Sequence, residues 1–426
     1  MASKYFLIAG MVVSFFGASC SPTPDTNGVS GVSQSSPADA GPVIEAAPTV
    51  QFENARLSEQ PSAILNTGQS AAKAPDLEEG PATPELEPEQ AAAAAVATAP
   101  AEPDKPQPLF PEDTSPLSDE ARQMLANIKW DMAPEVLNAV LKENEGGHFP
   151  WSDELHPDRF YDTIRGLGGT YIGVGTDQAY VFISWQRPTL AFTVDYDPWV
   201  VCIHQGYHAL FDTCENIDCF RKMLDDKDGT YKFLLNTYYA ENPERREIAK
   251  IFRANSHGFL RQLNRIAKLP YPTFVNDADS YNYIRTLIKS GRLVTLQANL
   301  LGNVALKGIS DTLRESGRTV TTLYTSNAEQ YWSYGKQFKE NMRGIPWAEN
   351  GVVMRTLATK PMNKDYTYRV MPHKVFLAWL DDPRGKDVKR ISKRYRFETR
   401  PEDSTEPPEV PFILDDVMPE EAPIKR

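Results

Sequence analysis

Gly169-Thr-Tyr-Ile-Gly173-Val-Gly175-Thr-Asp177-Gln178 is the stretch that decides the fold. Residues 170–174 form a short apolar run of strand length, and Gly173-Val174-Gly175 closes it with two residues that lack a Cβ. Thr176 and Asp177 are residue types that cap helices, and an apolar run follows over 178–186. A strand, a glycine turn and a helix in that order make the repeating unit of an α/β sheet.

The pattern continues outward. Residues 190–194 read as a second buried strand that stops at Asp195-Tyr-Asp-Pro198, with a helix over 199–212. Helical material runs over 219–269, broken near Gly229 and Pro243, and a further helix spans 280–290. Strands at 293–298, 320–324 and 351–357 bracket a helix at 304–316, and residues 370–379 fit either a strand or a buried helix. Upstream, 118–126 and 134–142 read as helices, the first opened by Ser118. Such alternation predicts an α/β, Rossmann-like, mostly parallel sheet with helices on both faces and a helical insertion at about 217–270.

The two ends differ in kind from this block. Lys4, an apolar run from Tyr5 to Phe16, and the small residues Gly17-Ala-Ser19 have the order of a secretory signal peptide, residues 1–19. The run is shorter than the roughly 20 residues a membrane span needs. Cys20 follows directly, where a bacterial lipobox carries the thiol that takes a diacylglycerol, although Gly17 stands where a lipobox has Leu. An ordinary cleaved signal with Cys20 incidental is the plainer alternative. Residues 20–115 are rich in Pro, Ala, Ser and Glu and almost without aromatics, so they are expected to form a disordered tether. Residues 400–426 read as a disordered acidic tail. All seven tryptophans lie between Trp130 and Trp379, which puts the folded domain at 116–399. The expected location is therefore the cell envelope, lipid-anchored, with the membrane as a partner through Cys20. The net charge of −12 sits largely in tether and tail. The basic cluster from Lys386 to Arg396 reads as a solvated face, and no nucleic-acid partner is expected.

Besides Cys20 there are Cys202, Cys214 and Cys219. In an oxidising compartment Cys214 and Cys219 would close a small loop, leaving Cys202 outside it. His204 and His208 share a helix face at metal-ligand spacing, but no Glu stands between them and the helix is apolar, so no metal site is assigned.

Ligands of open α/β sheets bind at the carboxyl ends of the strands. There the sequence places the glycine turn with Gly173, Gly175 and Asp177, then Asp195 about 20 residues later, the spacing of an acid that holds ribose hydroxyls. Asn299 follows the third strand, and Ser326-Asn327-Ala-Glu-Gln-Tyr-Trp332 follows the fourth. Plainer readings stand beside these: the glycines serve a tight turn, and Asp177 and Asp195 cap or join helices.

At these residues the chain resembles class I S-adenosylmethionine-dependent methyltransferases. More specifically, Gly168-Gly-Thr-Tyr-Ile-Gly-Val-Gly-Thr-Asp-Gln178 with the Ser326-Asn327 loop looks like an uncharacterised bacterial family with a Gly-Gly-x-Tyr-x-Gly-Val-Gly-x-Asp-Gln segment. The resemblance implies S-adenosylmethionine as cofactor, with Gly173 and Gly175 at its methionine part, Asp195 on the ribose, Asn299 near the adenine and Ser326-Asn327 facing the transferred methyl group. Two positions depart from that pattern: Asp177 replaces a third glycine, and Tyr171 stands where an acid is frequent. The cofactor is cytoplasmic, whereas the leader directs this chain outward. The expected function is accordingly a non-catalytic binding or scaffold module at the envelope, with an active methyltransferase or other group-transfer enzyme as the alternative.

Overall fold

A computed structural model describes residues 110–138, 145–358, 366–392 and 412–422. The signal, Cys20 and the tether as far as residue 109 lie outside the described residues.

Strands β1 (Thr170–Val174), β2 (Leu190–Asp195), β3 (Leu293–Gln297), β4 (Val320–Tyr324), β5 (Trp347–Ala358), β6 (Tyr366–Pro372) and β7 (Phe412–Leu414) form one sheet in the order β3-β2-β1-β4-β5-β6-β7. The first five pair in parallel, β6 runs antiparallel to β5, and β7 lies parallel to β6. This is the Rossmann-like α/β sheet that the alternation predicts. Every residue of β1, β2 and β4 is buried, as both faces are covered.

The covering helices are α1 (Asp119–Ala126), the one-turn α2 (Tyr161–Ile164), α3 (Gln178–Gln186), α4 (Pro198–Thr213), α5 (Ile217–Asp225), α6 (Lys227–Phe233), α7 (Arg245–Ile266), α8 (Ala278–Lys289), α9 (Ala305–Glu315), α10 (Lys336–Gly344), α11 (His373–Asp381) and the short α12 (Val388–Ile391). Alternate strand residues enter opposite cores: Tyr171 packs with α3, α4, α7 and α8, and Ile172 packs with α1, α9, α10 and α11. The insertion α5–α7 enlarges the first core, and a disulfide between Cys214 and Cys219 ties the end of α4 to α5.

Several expectations are corrected. Residues 134–138, expected to be helical, form bends and a turn in which Asn138 adopts φ +51°, and 139–142 lie outside the described residues. Both breaks expected in the insertion are present, the second around Pro243 ahead of α7; the first falls at Asp226, whose carboxylate caps the N–H of Gly229, so that the glycine itself lies inside α6. The ambiguous 370–379 run divides at Pro372, as the end of β6 followed by α11. Residues 412–422, expected in a disordered tail, contribute β7 and dock through Trp379 Nε1 to the Val417 carbonyl and through the ion pair of buried Arg369 with part-buried Asp415. The folded part also begins earlier than 116: Phe110 is buried, and Arg292 donates to the carbonyls of Pro111, Ser115 and Thr189.

Strand order reverses between β1, which leads to β2, and β4, which leads to β5. The crevice outside the carboxyl ends of those two strands is the topological switch point, where ligands of such sheets sit.

Candidate functional site

The crevice begins at Gly173, beside Tyr324 of β4. A Cβ on Gly173 would lie 2.0 Å from the hydroxyl of Tyr171, two residues back on the same face. The glycine thus makes room for this chain's own tyrosine ring. Gly175 turns the chain at φ +99°, and a Cβ there would meet the Gln178 amide at 2.4 Å. His204 Nε2 lies 2.8 Å from the Gly175 carbonyl, and its Nδ1 lies 2.9 Å from the Tyr180 hydroxyl. Burial lowers the His204 pKa to about 4, so the neutral ring pins the turn. No group of three or more potential metal ligands occurs among the described residues.

The crevice is filled by the segment before the sheet, Trp151-Ser-Asp-Glu-Leu-His156. The Glu154 carboxylate lies against the ends of β4 and β5. It accepts hydrogen bonds from Tyr324, from Ser326 Oγ at 2.9 Å and from Thr356 Oγ1 at 2.8 Å. Burial raises its pKa; the hydroxyl donors oppose that shift. Ser326 holds its position at φ +52°, in the left-handed region. Asn327 Nδ2 reaches the Tyr366 hydroxyl at 3.3 Å, and that hydroxyl donates to Asp153 at 2.7 Å. The His156 N–H donates to the Tyr368 hydroxyl at 2.8 Å.

Asp177 sits at the start of α3 but its side chain does not cap the helix. It turns to the same segment and accepts from the Ser152 N–H at 2.9 Å and from Gln262 of α7 at 2.5 Å. Burial raises its pKa, against the pull of Gln262, Ser152 and Arg265. Arg265 donates to the Ser152 carbonyl at 2.5 Å. Asp195 accepts from the N–H groups of Gly175 at 3.2 Å and Asp197 at 2.9 Å. Burial first, and the neighbouring Asp197 charge second, push its pKa up to about 7. Asp197 caps α4 through the Trp199 N–H and lies 2.9 Å from His148, whose ring stacks on Trp199 at 4.0 Å.

Gly173, Gly175, Asp177, Asp195, Ser326 and Asn327 therefore converge on the ends of β1, β2 and β4, and residues 151–156 touch two of them directly, Asp177 through Ser152 and Ser326 through Glu154. Asn299 stands apart: its side chain accepts the Leu301 N–H at 2.9 Å and its own N–H donates to Asp131. Beside Glu154 and Asp177 there remains a cavity of about 10 Å³, at the lower limit for one water. The residues that the sequence did not single out are Ser152, Glu154, Tyr324, Thr356, Gln262 and Arg265. They are scattered over more than 200 positions. Only the acidic pair Asp153-Glu154 between Trp151 and Leu155 marks the segment, and it has no period.

A family profile described as a domain of unknown function, DUF7790, matches residues 149–406. The chain belongs to the DUF7790 family. No curated protein matches it. The DUF7790 match begins two residues before Trp151, so the segment that occupies the crevice and the crevice itself fall within one family domain.

Proposed function

We propose that this DUF7790 protein is exported and lipid-anchored at Cys20, and that its methyltransferase-like α/β domain acts as a non-catalytic binding or scaffold module at the cell envelope. One observation carries the non-catalytic part: the Glu154 carboxylate, held by Tyr324, Ser326 and Thr356, lies at the switch point where an adenosyl ligand would sit. Each group that would read such a ligand already has a partner within the chain. Asp195 spends its two oxygens on Gly175 and Asp197, and the space at both glycines belongs to Tyr171 and Gln178. The Cys214–Cys219 disulfide supports the exported half of the reading, since such bonds persist in oxidising compartments.

Titration with S-adenosylmethionine and S-adenosylhomocysteine tests the first half. No saturable heat is expected at millimolar ligand. Saturable heat that Asp195→Ala weakens by about 1.5–3 kcal/mol, the size of hydrogen bonds to a charged group, would overturn it in favour of an active S-adenosylmethionine-dependent methyltransferase. For the anchor, Cys20→Ala is expected to move the protein from the membrane to the soluble fraction. Unchanged fractionation removes that half.

A further inference from the structure

Helix α7 carries six Lys or Arg residues and one acidic residue, Glu247, in a chain whose net charge is −12. At 100° per residue, Arg246, Lys250, Arg253, His257, Arg261 and Lys268, the last just past the helix end, fall within an arc of about 80°. All six are exposed. The opposite face, with Ile248, Phe252, Phe259 and Leu263, is buried in the core. Charge compensation along the stripe is thin. Arg253 pairs with Asp228 at 2.7 Å, both side chains more than half exposed, and Lys250 comes only within 3.9 Å of Glu247. Asp226, on the neighbouring helix, is turned to its own cap. No ion pair with a described residue reaches Arg246, Arg261 or Lys268.

Apolar groups border this stripe. Trp151 packs on Gly258, where a Cβ would lie 2.2 Å from its ring, and the Arg261 guanidinium lies 5.7 Å from the ring centre. The same loop leaves Phe149 53% and Leu155 45% exposed.

We infer that the exposed face of α7, with Phe149 and Leu155 at its margin, is a docking surface for an anionic phospholipid bilayer. The stripe from Arg246 to Lys268 extends about 33 Å along a convex helix, which suits a plane of phosphates and offers no concave pocket to a small anion. The nearby rings of Trp151 and Tyr231 are covered by Arg261 and Arg253, so they are not presented as stacking platforms for nucleic-acid bases. Basic side chains with exposed apolar tips beside them match the headgroup–acyl boundary. The surface does not depend on acylation of Cys20, and the adenosyl-ligand titration does not involve the exposed basic face of α7, so failure here and failure of the proposed function are separable.

The test uses the full chain with Cys20→Ser and two kinds of vesicle, phosphatidylcholine alone and phosphatidylcholine with phosphatidylglycerol. Phosphatidylcholine alone sets the baseline that residues 1–19 contribute. Tighter, salt-sensitive binding to the anionic vesicles is expected. Each neutralised cation should weaken it about fivefold, equivalent to about 1 kcal/mol. Arg246→Gln/Lys250→Gln/Arg261→Gln should then lose on the order of a hundredfold. Arg246→Gln/Lys268→Gln, which breaks no ion pair with a described residue and so leaves folding intact, should lose about twenty-fivefold. Equal binding to both vesicles, or variants that bind anionic vesicles as tightly as the parent, overturns the inference. Retention of duplex DNA or RNA without any vesicle preference overturns it in favour of a nucleic-acid partner.

Discussion

Glu154 is a carboxylate held in the interior by hydroxyl groups, with no cation paired to it among the described residues. Its raised pKa has a defined consequence for stability. The folded state binds the proton more tightly than the unfolded chain, so the stabilisation is complete below the ordinary carboxyl value and is lost as pH rises through the higher folded value. Asp195 acts in the same direction, over the window from its ordinary 3.8 to about 7. Stability should therefore fall between about pH 4 and pH 7, by as much as about 1.4 kcal/mol per unit while one such group is titrating. Glu154→Gln and Asp195→Asn carry no titrating carboxyl at these sites and should flatten the fall, which chemical denaturation at a series of pH values would measure. Glu154→Ala should instead cost about 1–3 kcal/mol at every pH, because it strands the hydroxyls of Tyr324, Ser326 and Thr356. A wild-type stability that rises from pH 4 to pH 7 would show that both carboxylates are better stabilised charged than their burial allows. Glu329, in the loop after β4, has a different role. It is fully buried with Arg355 at 3.0 Å and accepts from Thr325 and Tyr334. Glu329→Ala should cost about 3–5 kcal/mol, since it leaves a buried guanidinium uncompensated. A loss below about 1 kcal/mol in the same denaturation assay would refute that assignment.

At the scale of elements, the parts that were legible are those whose local chemistry and tertiary setting agree. Residues 170–174, 178–186 and 320–324 are strand, helix and strand at the bounds their apolar runs predict, because all three lie in the fully buried centre, where an apolar run has one outcome. Legibility fails where pairing decides. Phe412-Ile-Leu414 has no alternation and sits in acidic, proline-rich sequence, yet β6 provides a ladder for it and Arg369 provides a partner for Asp415. The site was half legible for a related reason. Glycines and acids at strand ends can be located by counting, whereas the segment that occupies their crevice is joined to Tyr324, Thr356 and Gln262 only by the fold. The weight of β7 can be measured. Asp415→Ala leaves Arg369, 3% exposed, without its carboxylate and should cost about 3 kcal/mol. For a domain of this size that corresponds to a melting temperature lower by roughly 6–12 °C. An unchanged melting curve would mean that β7 is attached to the sheet without stabilising it.

At the scale of the whole molecule, the folded domain starts where Arg292 fixes it. This side chain is fully buried and reaches back to Pro111 and Ser115, while Leu117 donates to the Ser290 carbonyl and Phe110 enters the core beside α1. Residues 21–109 are poor in the apolar side chains that offset ordering entropy, so no stability is expected from them. Two truncations separate these contributions. A chain beginning at Phe110 should melt with the mature protein. A chain beginning at Ser118 loses the burial of Phe110 and Leu117, about 1.5–3 kcal/mol each on the usual scale, and leaves Arg292 donors facing absent carbonyls. Its melting temperature should fall by at least about 6 °C, at roughly 2–4 °C per kcal/mol. If the shorter chain melts with the longer one, the 110–117 segment is a passenger, and the domain begins at α1 as composition alone suggests. If the chain beginning at Phe110 already melts lower, part of residues 21–109 contributes to stability despite its composition, and the tether reading of that part is wrong.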